Sequence, residues 1–146
     1  MDLAGKMCTL YPFSTQGAVL TQKIDMGPIA GTFHGALVAE LTKAGLDVRM
    51  PVAGTPDQPI VVRGQFVRAD GGSRIMRYFF TFFAGAAVFE AEGAVGDAGA
   101  PFAQLHAASK RRAGFGGGDS AALLNDAARL AGQEIGKQVV TTLAAR

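Results

Sequence analysis

AAVFEAEGAVGDAGAPFAQLHAASKRR, residues 86–112, is the stretch on which the fold turns. Ala87, Phe89, Ala91 and Val95 fall on one side of an alternating pattern, and Glu90 and Glu92 fall on the other. A period of two belongs to a strand with one dry face and one wet face. GDAGAP (96–101) is a hairpin turn signal. Beyond it Ala103, Leu105 and Ala107 oppose Gln104, His106 and Lys110. The stretch therefore predicts two antiparallel strands that share a polar face.

Working back along the chain, IVVRGQFVRAD (60–70) sets Val62, Gly64 and Phe66 against Arg63 and Gln65. LDVRMPV (46–52) sets Leu46, Val48 and Met50 against Asp47 and Arg49. KMCTLYPF (6–13) reads as a first strand, and TQGAVLTQKIDM (15–26) as a loop or edge strand.

Two segments have helical spacing instead. In GPIAGTFHGALVAELTKAG (27–45), Ile29, Phe33, Leu37, Leu41 and Ala44 share one face. Pro28 suits the first helical position and Gly45 the C-terminal stop. A second helix from about Ser120 to Leu143 carries the stripe Leu124, Ala128, Ala131, Ile135 and Val139. Gly31 and Gly35 lie beside the first stripe, Gly132 and Gly136 beside the second. The helices are therefore expected to meet closely at these glycines. The element order implies an α+β two-layer sandwich, a single domain over residues 1–146. Its sheet is expected to be mostly antiparallel with four to five strands, and both helices to pack on one face.

Composition narrows the function classes. Hydrophobic residues make up 49% and charged residues 18% of the 146, so the chain is not disordered by composition. A net charge of +2 does not mark a dedicated nucleic-acid binder, and nucleic acid is not an expected partner. The single Cys8 excludes an internal disulfide and a multi-cysteine metal site. His34 and His106 show no metal-ligand spacing, and no dinucleotide or phosphate-loop fingerprint occurs. No cofactor is expected.

The catalytic inventory is short. Glu90 and Glu92 stand roughly 7 Å apart on one strand face, a spacing that acid–base chemistry can use. Arg63, Lys110 and His106 as cross-strand neighbours make a surface ion-pair ladder the expected reading. Cys8 has no evident histidine partner and reads as a buried small residue. The protein is expected not to be an enzyme.

Two stretches remain as candidate sites. Arg74, Arg77, Tyr78, Phe79, Phe80, Phe82 and Phe83 crowd aromatic rings behind two arginines. A two-layer domain covers one face only, so this run either completes the core or forms a contact surface for another copy or a membrane surface. Lys110, Arg111 and Arg112 lead into Gly116, Gly117 and Gly118 before the last helix. Backbone N–H groups at a helix start favour anions. Asp119 stands where an anion would sit, so a helix cap by Asp119 or Ser120 is the competing reading.

The motifs VRGQFVRAD (62–70), MRYFFTFFAGAA (76–87), GDAG (96–99) and IGKQV (135–139) resemble a bacterial family known as a domain of unknown function. Its members are mostly Gram-negative lipoproteins or secreted envelope proteins. The family's element order is similar to the amino-terminal domain of TolB and the periplasmic domain of the curli secretion pore. The resemblance implies an envelope or periplasmic adaptor and carries over no catalytic residue. Met1 is followed by Asp2 rather than by a secretory leader, and LAGKMC (3–8) matches an acylation site only loosely. On that ground the cytoplasm stands as the alternative compartment.

Overall fold

The computed structural model describes residues 3–20, 25–56, 59–70, 87–97, 100–111 and 120–146. The elements run β1 (Met7–Leu10), β2 (Val19–Leu20), α1 (Met26–Lys43), β3 (Asp47–Arg49), β4 (Ile60–Asp70), β5 (Ala87–Gly96), β6 (Pro101–Arg111) and α2 (Ser120–Ala144). The strands form one sheet in the order β3-β1-β4-β5-β6, and β2 also pairs with β4. Both helices pack against the same layer, so the α+β two-layer expectation holds.

The sheet is mixed. β5–β6 is antiparallel, as the alternating stretch predicts, and β4–β5 is antiparallel too. β1, however, runs parallel to β3 and to β4, and β2 runs parallel to β4. Two crossovers cause this: α1 returns the chain so that β3 starts at the same end of the sheet as β1, and the connection after β3 passes β1 so that β4 starts at that end too.

α1 begins where Asp25 accepts a hydrogen bond from the Gly27 N–H, 3.0 Å away. Pro28 thus sits third in the helix rather than first. At the other end Gly45 takes φ +100°. The Gly45 N–H bonds the Thr42 carbonyl and the Leu46 N–H bonds the Leu41 carbonyl, the paired closure that a glycine after the cap allows. Leu41 and Leu46 are both buried beneath it.

The core lies between the sheet and the helices. Val62 and Phe66 of β4, Phe89, Ala91 and Val95 of β5, and Leu105 and Ala107 of β6 share one core with Phe33, Leu37 and Leu41 of α1; Phe33 meets Phe66 and Phe89, and β5 and β6 lie under α2. The stripe Leu124, Ala128, Ala131, Ile135 and Val139 of α2 is buried as predicted. Phe13, Phe33, Phe66 and Phe89 stack in sequence, with centroids 4.9, 5.1 and 5.3 Å apart along that path. Burying each ring contributes roughly 1.5–3 kcal/mol.

The helix contact departs from expectation. Gly132 lies against the Phe33 carbonyl and the Ala36 side chain, and Gly136 against Glu40. Gly31 and Gly35 face open space instead of meeting them. Glycine on one helix is enough, because the other supplies its backbone and small side chains. Met50, expected on the apolar face of β3, is 52% exposed, since the strand ends at Arg49 and the alternation stops with it.

Candidate functional site

The sheet face away from the helices carries the polar residues that the alternation assigns to it. His106 and Glu92 stand opposite each other across β5–β6, and Gln65 stands opposite Glu92 across β4–β5. His106 Nε2 lies 2.6 Å from Glu90 Oε2. Gln65 Nε2 donates to Glu92 Oε1 at 2.6 Å. The two glutamates therefore have separate partners. The expected ladder exists in part: Arg63 lies over the Tyr11 ring, 4.0 Å from its centroid, rather than beside a glutamate. Lys110, opposite Val88, makes no ion pair with Glu90 or Glu92 among the described residues. Arg68 pairs with Asp70 at 3.0 Å on the same strand.

β1 is the covered part of this face. Thr9 points away from the helices, opposite Val61, and is only 3% exposed. The connection after β3 lies over it. Arg49, Met50, Pro51, Val52, Thr55 and Pro56 line a cavity of about 410 Å³ with Thr9. The Thr55 N–H closes a turn on the Val52 carbonyl at 3.0 Å, and Gly54 takes φ +81° within it. Arg49 forms a two-point pair with Asp47, which holds the Asp47 carboxyl below the usual carboxylate range. A second cavity, about 210 Å³, opens beside Val61, Arg63, Ala94 and the β5–β6 turn. Neither cavity is lined by Glu90, Glu92 or His106. No group of three or more metal-ligating side chains occurs among the described residues.

Two titratable groups, one buried and one partly buried, sit on the other side of the sheet. Cys8 is fully buried and its thiol is pushed up to about 12 by desolvation. His34 accepts a hydrogen bond at Nε2 from the Phe13 N–H, 2.8 Å away, with its ring edge against Phe33. Burial holds its imidazole below the ordinary histidine range, and a bond to the Ala30 backbone opposes that shift.

The aromatic candidates Arg74, Arg77, Tyr78, Phe79, Phe80, Phe82 and Phe83 lie outside the described residues, as do Arg112, Gly116, Gly117, Gly118 and Asp119. Lys110 is described and exposed at the end of β6, and Arg111 closes that strand.

One arrangement has no signal in the sequence. The Gln138 side chain of α2 reaches the backbone of His106 on β6. The His106 N–H donates to Gln138 Oε1 at 2.9 Å, and Gln138 Nε2 donates to the His106 carbonyl at 2.6 Å. The partners are 32 positions apart, beyond the reach of any local pattern.

A model of the family described as domain of unknown function DUF4410 matches residues 16–145. The chain belongs to that family. No curated protein matches this DUF4410 chain. Among solved structures, the hypothetical protein CT253 from Chlamydia trachomatis shares its fold, with TM-score 0.64 and 11% identity over 98% of this chain and all (100%) of that one. A PelC subunit from the dodecamer of Paraburkholderia phytofirmans aligns with TM-score 0.53 and 11% identity over 90% of this chain and 89% of that one. A minor lipoprotein from Acinetobacter baumannii aligns with TM-score 0.50 and 15% identity, over 98% and 93%. The DUF4410 chain thus shares its fold with proteins that include a Gram-negative lipoprotein. No described helix is long and apolar enough to cross a membrane.

Proposed function

We propose that this DUF4410 chain is a non-enzymatic protein of the Gram-negative envelope or periplasm that works by contact. Its sticky element is Tyr78–Phe83, with Arg74 and Arg77 as polar flanks. The occupant of that surface is another copy or another envelope protein, and a peripheral membrane contact is the remaining use. The observation that carries this reading is compositional: Tyr78, Phe79, Phe80, Phe82 and Phe83 stand within six positions in a chain with a two-layer fold. Aromatic residues supply contact area that a flexible polar chain does not.

Two further observations support it. On the open sheet face Glu90 bonds His106 and Glu92 bonds Gln65, and neither described cavity is lined by them. The fold is shared with a PelC subunit whose copies form a dodecamer. The test is Phe79→Ser, Phe80→Ser, Phe82→Ser and Phe83→Ser combined. The expected product keeps its circular dichroism and melting transition but loses its assembled mass in light scattering. A variant that unfolds places the rings in the core and overturns the reading.

A further inference from the structure

Among the described residues β6 is the last strand of the sheet, and one of its long edges has no described strand beside it. The bonds to Gln138 show which way its backbone points: the His106 N–H and carbonyl face away from β5. Backbone direction alternates along a strand, so Gln104, Ala108 and Lys110 also point outward. Their outward groups have no partner among the described residues. Among the described residues, only the centre of the edge is closed. Gln138 sits there like a single peptide unit of a neighbouring strand. Glu134, one turn earlier, accepts from the same amide at 3.2 Å and orients it.

We propose that β6 is an edge-to-edge docking strand for a second copy of this chain, and that Gln138 is the latch that holds it shut. An unpaired row of N–H and carbonyl groups needs an extended backbone; a lipid surface cannot satisfy it. The copy's own β6 fits in antiparallel register about a two-fold axis through His106. Gln104 then faces Ala108 of the second copy, Leu105 faces Ala107, and Ala103 faces Ser109. Phe102 faces Lys110. Each larger side chain meets a smaller one on the buried side, β6 carries no carboxylate, and Lys110 meets no like charge directly opposite. Opening the latch gives up the two bonds to Gln138 and gains paired bonds along the whole strand.

The inference rests on the self-association of the reading above but not on its aromatic segment. The test compares mass against concentration, by sedimentation, for the wild type, Gln138→Ala, and Gln138→Ala with Ala108→Pro. Gln138→Ala is expected to dimerise at a concentration at least tenfold below that of the wild type. Ala108→Pro removes an outward N–H and leaves the β5 ladder intact, so it is expected to restore the monomer. Lys110→Pro serves the same purpose should Ala108→Pro lose its circular dichroism. A Gln138→Ala protein that stays monomeric at every concentration overturns the proposal. Association that survives the proline but is abolished by the four serines overturns it too, and leaves the aromatic reading standing.

Discussion

The ring of Phe13 lies on Gly64, in the space where a β-carbon would stand. Gly64 is paired with Gly93 on β5, so two strands lack side chains at the same level of the inner face. The ring enters that gap and meets Phe33 and Phe66. Gly64→Ala would push its methyl into both the ring and the Glu92 carbonyl. It is expected to cost about 1–3 kcal/mol, as overpacked cores do. Urea unfolding should show a lower midpoint with an unchanged slope.

The same logic separates the helix glycines. Gly132→Ala forces a methyl against the Phe33 carbonyl, which backbone cannot evade, and should destabilise by roughly 1–3 kcal/mol. Gly31→Ala and Gly35→Ala meet nothing and remove two flexible positions from the interior of α1. Each should stabilise by up to about 1 kcal/mol. Thermal melts of the three single variants check the contrast in sign.

His34 makes stability depend on pH. Burial lowers its folded-state value below the unfolded one, so the unfolded chain binds the proton more readily. The stabilisation is fully present above the unfolded value of about 6.5 and declines as pH falls toward the folded value. Protonation also turns Nε2 into a donor facing the Phe13 N–H, which ends that bond. Denaturation midpoints measured from pH 8 to pH 5 should fall for the wild type. Gln at position 34 keeps an acceptor without titrating, so His34→Gln should flatten that part of the profile.

Cys8 should be silent toward thiol reagents in the native protein. It is buried, and at neutral pH a thiol raised to about 12 holds almost no thiolate. Labelling with a chromogenic disulfide should appear only as denaturant opens the core, and its rate should track the unfolded fraction.

Much of this architecture was legible along the chain because its signals are local. Phe89 and Ala91 against Glu90 and Glu92 announce a half-buried strand from four adjacent residues. Leu124, Ala128, Ala131, Ile135 and Val139 announce a helix face at intervals that sequence displays directly. Gly45 stops α1 for a reason held in its own backbone. Parallel pairing of β1 was not legible, because it depends on where α1 returns the chain. The separate partners of Glu90 and Glu92 were not legible either. Gln65 takes Glu92 directly across from it, His106 reaches diagonally to Glu90 rather than to Glu92 opposite it, and Tyr11 takes Arg63.

Periodicity and turn chemistry act over a few bonds, so the residues alone determined the layers, the buried stripes and the polar face of the sheet. Distance in space is set by how those layers stack, and only the folded chain decided three contacts. Phe13 fills the gap at Gly64, Gly132 meets a carbonyl rather than a glycine, and Gln138 lies across the edge at His106. Each joins positions far apart in the chain, where the pattern of neighbours carries no information about who will touch.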